Sequence, residues 1–444
     1  MLLKTFTMGG VHPPENKFSA DKPIEELELP AVVNIPVAQH IGAPSVPVVA
    51  KGDKVKAGTL IAKSSGFVSA NIHSSVSGTV SKIDAIPDSF GYPRQGIIIQ
   101  VEGDEWEPEI DRSTDLVRNI SLSGPEIVQK IQDAGVVGMG GATFPSHVKL
   151  VPPKGMTAEY LLINGVECEP YLTSDHRLML EKTDEILVGT SLLMKALGVE
   201  KAIVGIENNK PDAINRMRDR VTGFSGISVQ PLKVKYPQGG EKQLIKAATG
   251  REVPSGALPI SVGCVVSNVG TAFAVYEAVQ KNKPLIERVV TITGKSLLQP
   301  SNLKARIGTP LSALVARAGG LPDDTGKVVS GGPMMGKAIA SLDVPVTKGT
   351  SGVLILPDNE AKRGERQACI RCSRCTNVCP MGLEPYLLMT LSEKGILDRA
   401  EEERIMDCIE CGSCSYTCPS DRPLLDFIRF GKSRVGAIIR ARKN

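Results

Sequence analysis

Between Val46 and Ile83 the chain reads VPVVAKGDKVKAGTLIAKSSGFVSANIHSSVSGTVSKI, short runs of apolar residues alternating with polar ones and broken at Gly52-Asp53, Gly58, Gly66 and Gly78. Alternation with period two, cut by glycine turns, predicts an all-β unit of short strands. From about Gly124 to Lys283 the period lengthens. Helical stretches such as RLMLEKTDEILVGTSLLMKAL and TAFAVYEAVQKN separate the compact apolar runs YLLING, KAIVGIE, ISVQPLKV and GCVVSN, which predicts a mostly parallel sheet covered by helices. RVVTITGKSLLQPSNLKARIGTPLSALVARAGG then carries two strand patterns and one helix ended by Gly319-Gly320, and from about Gln367 short helices and turns surround cysteines. At 444 residues the chain is long enough for several cores, and its fold class is multidomain α/β plus β.

The first unit resembles the barrel-sandwich fold of biotinyl and lipoyl carrier domains, which share the GDxVxxG opening and the SGTV return. In those carriers a modified lysine sits on the central hairpin. Here Gly66 falls near that place and Lys63 is offset from it, so the expectation is a carrier fold without carrier chemistry. The segment after Lys283 is similar to the small β-grasp SLBB domain.

Composition narrows the class. Hydrophobic content of 41% and charged content of 23% are those of a globular protein, and a single Trp with 4% aromatics argues against a base-stacking nucleic-acid binder. There is no run of about eighteen apolar residues to span a membrane, and no apolar leader follows Met1. Net charge is only +4, yet the end FIRFGKSRVGAIIRARKN carries six Lys or Arg and no acid, a feature suited to an anionic surface or to simple solvation.

Eight of the ten cysteines form two runs, CIRCSRCTNVCP from Cys369 and CIECGSCSYTCP from Cys408. Each follows C-x2-C-x2-C-x3-C-P, the bacterial ferredoxin spacing for a [4Fe–4S] cubane. Three thiolates two residues apart can wrap one face of a cubane, and the fourth ligates the neighbouring cluster. The expected sets are Cys369, Cys372, Cys375 and Cys418 for one cluster and Cys408, Cys411, Cys414 and Cys379 for the other. Structural zinc is the competing reading, but zinc sites usually take two separated pairs of thiols. Cys168 and Cys264, outside the runs, read as small buried hydrophobes.

Upstream, the loop GVVGMGGATFPSHVK follows the helical pattern GPEIVQKIQDA. Gly138, Gly140 and Gly141 leave backbone amides free of Cβ obstruction, and Lys149 adds charge, which is one way to hold a phosphate. A glycine-rich turn alone is weak evidence. Further polar loops, LLINGVECEPYL with Asn164, Glu167 and Glu169, YPQGGEKQL with Tyr236, Gly239, Gly240 and Glu241, and VSNVGTA with Asn268 and Thr271, are placed at strand carboxyl ends, where open α/β sheets bind ligands. Each alone reads equally as a helix cap or turn.

The order of GMGGATFPSHVK, NGVECEP, YPQGGEK, SNVG, an SLBB-like segment and paired cysteine runs, with GGVHPPENK at the start and SGGPMMG at Ser330 to Gly336, resembles the RnfC family of the Rnf ion-translocating ferredoxin:NAD oxidoreductase complex. The glycine-loop domain of that family is similar to the FMN- and NADH-binding flavoprotein of respiratory complex I. The resemblance implies four units: 1–112 with a barrel-sandwich hybrid, 113–285 as a Rossmann-like FMN/NADH-binding α/β domain, 286–345 as SLBB β-grasp, and 346–444 as a two-cluster ferredoxin-like helical domain with a basic tail. It implies two [4Fe–4S] clusters and FMN as cofactors and NAD(H) as substrate. The other membrane and peripheral subunits would be partners, ferredoxin indirectly so, and no nucleic acid. The place implied is the cytoplasmic face of the bacterial cell membrane.

By position, Gly138, Gly140, Gly141 and Lys149 match the phosphate loop and lysine, Phe144 the nicotinamide-side aromatic, and Asn164 and Glu167 the ribityl and isoalloxazine contacts. Glu169 matches a nucleotide-contacting acid, and Tyr236, Gly240, Glu241 and Asn268 complete the implied pocket, with no catalytic acid or base. Complex I sequences read NADESEP and GEE, so Val166, Cys168 and Lys242 are departures. Two alternatives stand beside this reading: a cobalamin reductase of a bacterial microcompartment, built of the same modules, and a flavin-free electron wire, which Val166 and Lys242 motivate.

Overall fold

The computed structural model describes residues 3–442, so Lys443 of the basic tail lies outside the described residues. The first unit folds as two small antiparallel sheets packed face to face. One orders Val32–Pro36, Pro93–Val101, Gly78–Pro87 and Lys54–Val55, and the other Val46–Pro47, Leu60–Lys63 and Ile72–His73. Alternate residues Val33, Ile35, Ile97 and Ile99 point inward and are fully buried, as period-two patterning requires.

The α/β unit has four strands, all parallel, in the spatial order Ile227–Leu232, Lys201–Glu207, Tyr160–Asn164, Cys264–Asn268. Lys201–Glu207, Tyr160–Asn164 and Cys264–Asn268 are largely buried on both faces and rich in Val, Ile and Leu, while the edge strand Ile227–Leu232 is partly exposed. The long helical stretch before the second strand is two helices, Ser174–Glu181 and Thr183–Leu197, hinged at Lys182, whose φ and ψ of −126° and 34° leave the helical region. Successive crossovers bring the carboxyl ends of all four strands to one edge, and the loops singled out above emerge there.

The third unit is larger than its local pattern suggests. Its sheet has six strands in the order Ile24–Glu26, Ser301–Arg306, Glu287–Gly294, Gly352–Pro357, Thr325–Ser330, Lys337–Ala338. The edge strand Ile24–Glu26 comes from the N-terminal region, and Gly352–Pro357, beyond the expected break at 345, lies parallel to Glu287–Gly294. Parallel partners need long crossovers, so neither is visible in a local strand pattern.

The last unit is helical and internally repeated. Arg374–Asn377 and Pro385–Glu393 after the first cysteines match Ser413–Tyr416 and Leu424–Ala441 after the second. Each second helix starts on a proline or just after one, and both are packed together over Leu388, Met389, Leu424 and Ile428. No helix among the described residues is long and apolar enough to cross a membrane.

One buried cation pins three units. Lys348, 1% exposed, donates Nζ to the carbonyls of Asn71 (2.6 Å) on the barrel sandwich and Gly135 (2.7 Å) at the glycine loop, and its amide donates to Gln39 Oε1 (2.9 Å). Burial lowers its pKa to about 7 from 10.5. The unfolded chain therefore binds more protons between these values, and the stability Lys348 contributes is smallest below pH 7 and rises with pH. Thermal unfolding of wild type and Lys348→Met is expected to show a stability difference in favour of wild type that grows from pH 7 to 10, together with loss of the barrel sandwich as a protease-resistant unit.

Candidate redox site

The glycine loop is closed at its base and open at its tip. Gly138 N donates to Phe144 O (2.8 Å), and Met139 N to Thr271 Oγ1 (2.9 Å) on the helix after the fourth strand. Between them Gly140, Gly141 and Ala142 are exposed, and among the described residues the amides of Gly140, Gly141, Ala142 and Thr143 find no hydrogen-bond acceptor. Gly141 has φ +138° with empty space where a Cβ would stand. An exposed run of unpaired amides that opens on two glycines fits the phosphate of a flavin nucleotide.

Several predicted residues gather round this loop. Asn268 caps its helix, accepting from Gly270 N (2.8 Å), while its Nδ2 donates to Asp175 Oδ2 (2.7 Å) and to Asn164 O (3.3 Å). Asn164 Nδ2 donates to Gly239 O (2.8 Å), which fixes the loop before Gly240. Gly240 is the N-cap of the helix that Glu241 begins. Lys149 forms an ion pair with Glu241 (2.9 Å) and reaches Val266 O (3.2 Å), so its charge is held against the sheet edge.

Three acidic or aromatic candidates sit elsewhere than on the loop's opening. The Glu167 carboxylate accepts from the amides of Asp175 (2.8 Å) and His176 (3.1 Å), capping the helix Ser174–Glu181. Glu169 accepts from Met334 N (3.2 Å) and Met335 N (2.7 Å) of the SGGPMMG segment, which explains that motif: a Cβ on Gly332 would stand 2.2 Å from its Oε2. Burial raises Glu169 to about 7. Tyr236 Oη donates to Cys411 O (2.7 Å), directly on the second cysteine loop.

Of the departures from the complex I pattern, Val166 is fully buried against Leu162 and Leu244, and Lys242 donates to Pro254 O (3.0 Å). The Val166 side chain is thus committed to the core and the Lys242 ammonium to a backbone carbonyl. Cys168 accepts from Gly239 N (3.3 Å), and Cys264 is buried at the start of the fourth strand.

The residue that sequence reasoning passed over is Lys17, within GGVHPPENK. Its ammonium donates to the carbonyls of Glu167 (2.9 Å), Glu169 (2.8 Å) and Leu172 (2.6 Å), gathering the loop after the first strand around one charge. That loop holds Glu167 and Tyr171 at φ 45° and 70°, a left-handed region that side chains seldom adopt. Burial, and then Lys210, lower the Lys17 pKa to about 8. Lys210, itself buried, supports the same loop by donating to Val166 O (2.8 Å). Only the lysine closing the GGVHPPENK motif signalled any of this.

The cysteine runs give two unlike surroundings. Cys379, Cys408, Cys411 and Cys414 line one apolar cavity with Pro380, Leu383, Leu388 and Ile428, so the last cysteine of the first run stands with three of the second. Around it Glu410 and Gly412 have φ 56° and 79° with Cys411 between them at negative φ, an alternation that turns successive amides to one side. Arg371 and Ser373 repeat it in the first run at 54° and 58°. Leu383 N donates to Cys379 Sγ and Glu410 N to Cys408 Sγ, both at 3.4 Å. Burial pushes the Cys408 thiol up to about 12 and raises Cys411 and Cys414 too, so iron is what would hold them as thiolates. By contrast Cys369 and Cys372 are exposed.

Open-amide loop and paired cysteine runs together define a flavin and iron–sulfur electron-transfer protein. Residues 131–277 match the Nuo51 FMN-binding domain, 5–104 the RnfC barrel sandwich hybrid domain, 289–338 the SLBB domain and 361–419 the 4Fe-4S dicluster domain. A subunit of the proton-translocating ferredoxin:NAD(+) oxidoreductase complex of Clostridium ljungdahlii is 50% identical over 97% of this chain and 94% of its own. Its counterpart in the Na(+)-translocating ferredoxin:NAD(+) oxidoreductase complex of Acetobacterium woodii is 43% identical over 96% of both chains, and that in the ion-translocating oxidoreductase complex of Rhodobacter capsulatus 42% over 98% of this chain and 84% of its own. The chain belongs to the RnfC family of Rnf-complex proteins.

Replacing Lys17 with Met leaves three carbonyls without their donor, and a loss of about 3–5 kcal/mol is expected in chemical denaturation. Gly141→Ala, by contrast, is expected to cost about 1–2 kcal/mol, because φ +138° strains any side chain although the space is open, and to leave a folded chain that retains less FMN after gel filtration.

Proposed function

We propose that this chain is the NAD-facing redox subunit of a membrane-bound, ion-translocating ferredoxin:NAD oxidoreductase complex. The observation that carries the reading is the hydrogen bond from Tyr236 to the Cys411 carbonyl, which sets the cysteine module on the same sheet edge as the glycine loop. When bound, FMN supplies the interchange between a hydride and single electrons, which neither amides nor thiolates can perform.

The protein's share is binding and placement. Gly140 and Gly141, with Ala142 and Thr143, offer their amides to a phosphate, while the Gly138 amide, expected to share that task, is taken by Phe144 O and closes the loop's base; Lys149 and Glu241 fix the floor behind them. Asn164 and Asn268 order the sheet edge beside the loop, and the Phe144 carbonyl closes the base of the loop. Glu167, Glu169 and Tyr236 serve the site from outside its opening, holding the loop after the first strand and the cysteine module in register. Cys379, Cys408, Cys411 and Cys414 hold the cluster facing the α/β unit, and Cys369, Cys372, Cys375 and Cys418 the cluster facing outward, where Cys375 and Cys418 lie close enough to interact. No side chain needs to move a proton at this site.

The flavin-free wire loses its motive, because Val166 is packed in the core and the Lys242 ammonium is engaged by Pro254 O. The relatives' names likewise favour the oxidoreductase over a corrinoid reductase. Relatives named for protons and for Na(+) are 50% and 43% identical to this chain, which supports placing ion choice in other subunits. We place the chain at the cytoplasmic face of the membrane, with those subunits and, through them, ferredoxin as partners.

The test is an anaerobic titration of the reconstituted chain with NADH. Bleaching of the flavin band followed by EPR signals of reduced cubanes is expected, and clusters without any response to NADH would defeat the reading. Cys379→Ser is expected to remove the EPR signal of the inner cluster and Cys418→Ser that of the outer one. The opposite pairing would refute the crossed assignment.

A further inference from the structure

The barrel sandwich has no carrier lysine, and the function proposed above gives it no part. Its central hairpin nevertheless ends beside the glycine loop. Asn71, at the hairpin's base, accepts from Ser64 N (3.0 Å), and its own Nδ2 donates to Asp133 O (3.2 Å) at the end of the helix leading into that loop. The tip is braced by Ser65 Oγ donating to Pro44 O (2.7 Å) and Ser69 Oγ to Ala43 O (2.9 Å). It is docked as well as braced: His147, buried just after the glycine loop, places Nε2 3.3 Å from Phe67 O, and Ile41 N donates to Thr143 O (3.4 Å).

On this tip Phe67 is 67% exposed, its ring edge-on to His147 at 6.5 Å and 87°. One exposed aromatic is ordinary. Here, however, the ring stands on a backbone fixed to His147 just after the open amides, and the neighbouring segment, joined to the tip by Ala43 N donating to Val68 O (3.1 Å), reaches Thr143 through Ile41, itself 52% exposed. A rigidly presented aromatic with a free face, next to a phosphate cradle, is suited to stack a planar ring with little loss of entropy.

We propose that Phe67 is a dinucleotide-binding residue, delivered by the barrel-sandwich hairpin beside the glycine loop to stack a planar heteroaromatic ring of NAD(H). This rests on the reading of the glycine loop as the FMN and NAD(H) site. The hairpin position that bears a modified lysine in carrier domains thus bears the protein's own aromatic contact to the substrate.

The experiment uses the full chain with FMN and both clusters reconstituted, titrated anaerobically with NADH while flavin bleaching is followed. Phe67→Ala is expected to raise the NADH concentration for half-bleaching about five- to tenfold. FMN content and iron content should stay unchanged. Phe67→Tyr and Phe67→Trp should restore the wild-type value and Phe67→Leu should not, a distinction a purely structural role would not make. Reduced nicotinamide mononucleotide, which lacks adenine, separates the two rings: a loss seen with NADH alone assigns the adenine, and a loss with both assigns the nicotinamide. Equal half-bleaching concentrations in wild type and Phe67→Ala overturn the proposal. A wild-type flavin that NADH fails to bleach overturns the underlying reading of the site, and this assignment with it.

Discussion

Three backbone carbonyls at the carboxyl end of the first parallel strand converge on one ammonium, that of Lys17. Much of the site's order follows from that convergence. A loop carrying two side-chain residues in the left-handed region does not hold its shape unaided, because each costs of order 1 kcal/mol or more. With its carbonyls gathered, the loop turns Glu167 toward one helix terminus, Glu169 toward the amides of Met334 and Met335, and Tyr171 N toward Glu15 O. The α/β unit, the N-terminal arm and the six-stranded sheet therefore meet at one point.

The cysteine module is fastened to the same place. Besides Tyr236 and Cys411, Gly10 N donates to Val378 O (2.9 Å), and Gly9, at φ +66°, lies so close to Cys379 that any Cβ would strike its carbonyl at 2.6 Å. Only glycines fit there. The N-terminal GGVHPPENK thus acts at both ends, its glycines admitting the cysteine loop and its lysine fixing the strand-end loop. Rigidity of this kind matters to an electron-transfer protein, since the cofactors carry the chemistry and the chain fixes where they stand.

The sequence made legible whatever local pattern encodes. Period-two and helical runs marked the barrel sandwich and the α/β alternation, and cysteine spacing marked the clusters. Glycines at 140 and 141 marked the open amides, whereas that at 138 closes the loop on Phe144. What it concealed depends on long-range pairing: Ile24–Glu26 and Gly352–Pro357 entering the six-stranded sheet, Lys348 spanning three units, Glu169 facing the amides of Met334 and Met335, and Tyr236 facing the cysteine module. A lysine that binds carbonyls, or a phenylalanine at a hairpin tip, has the same local signature as any surface residue.

The central claim is that the site at the glycine loop and the cluster at Cys379, Cys408, Cys411 and Cys414 form one fixed electron-transfer unit. Rapid freeze-quench EPR of the Cys418→Ser chain, which keeps only that inner cluster, tests it most directly. On mixing with NADH the inner cluster is predicted to become reduced at the wild-type rate. A chain that retains the inner cluster and a bleached flavin, yet leaves the cluster oxidised, would contradict the account.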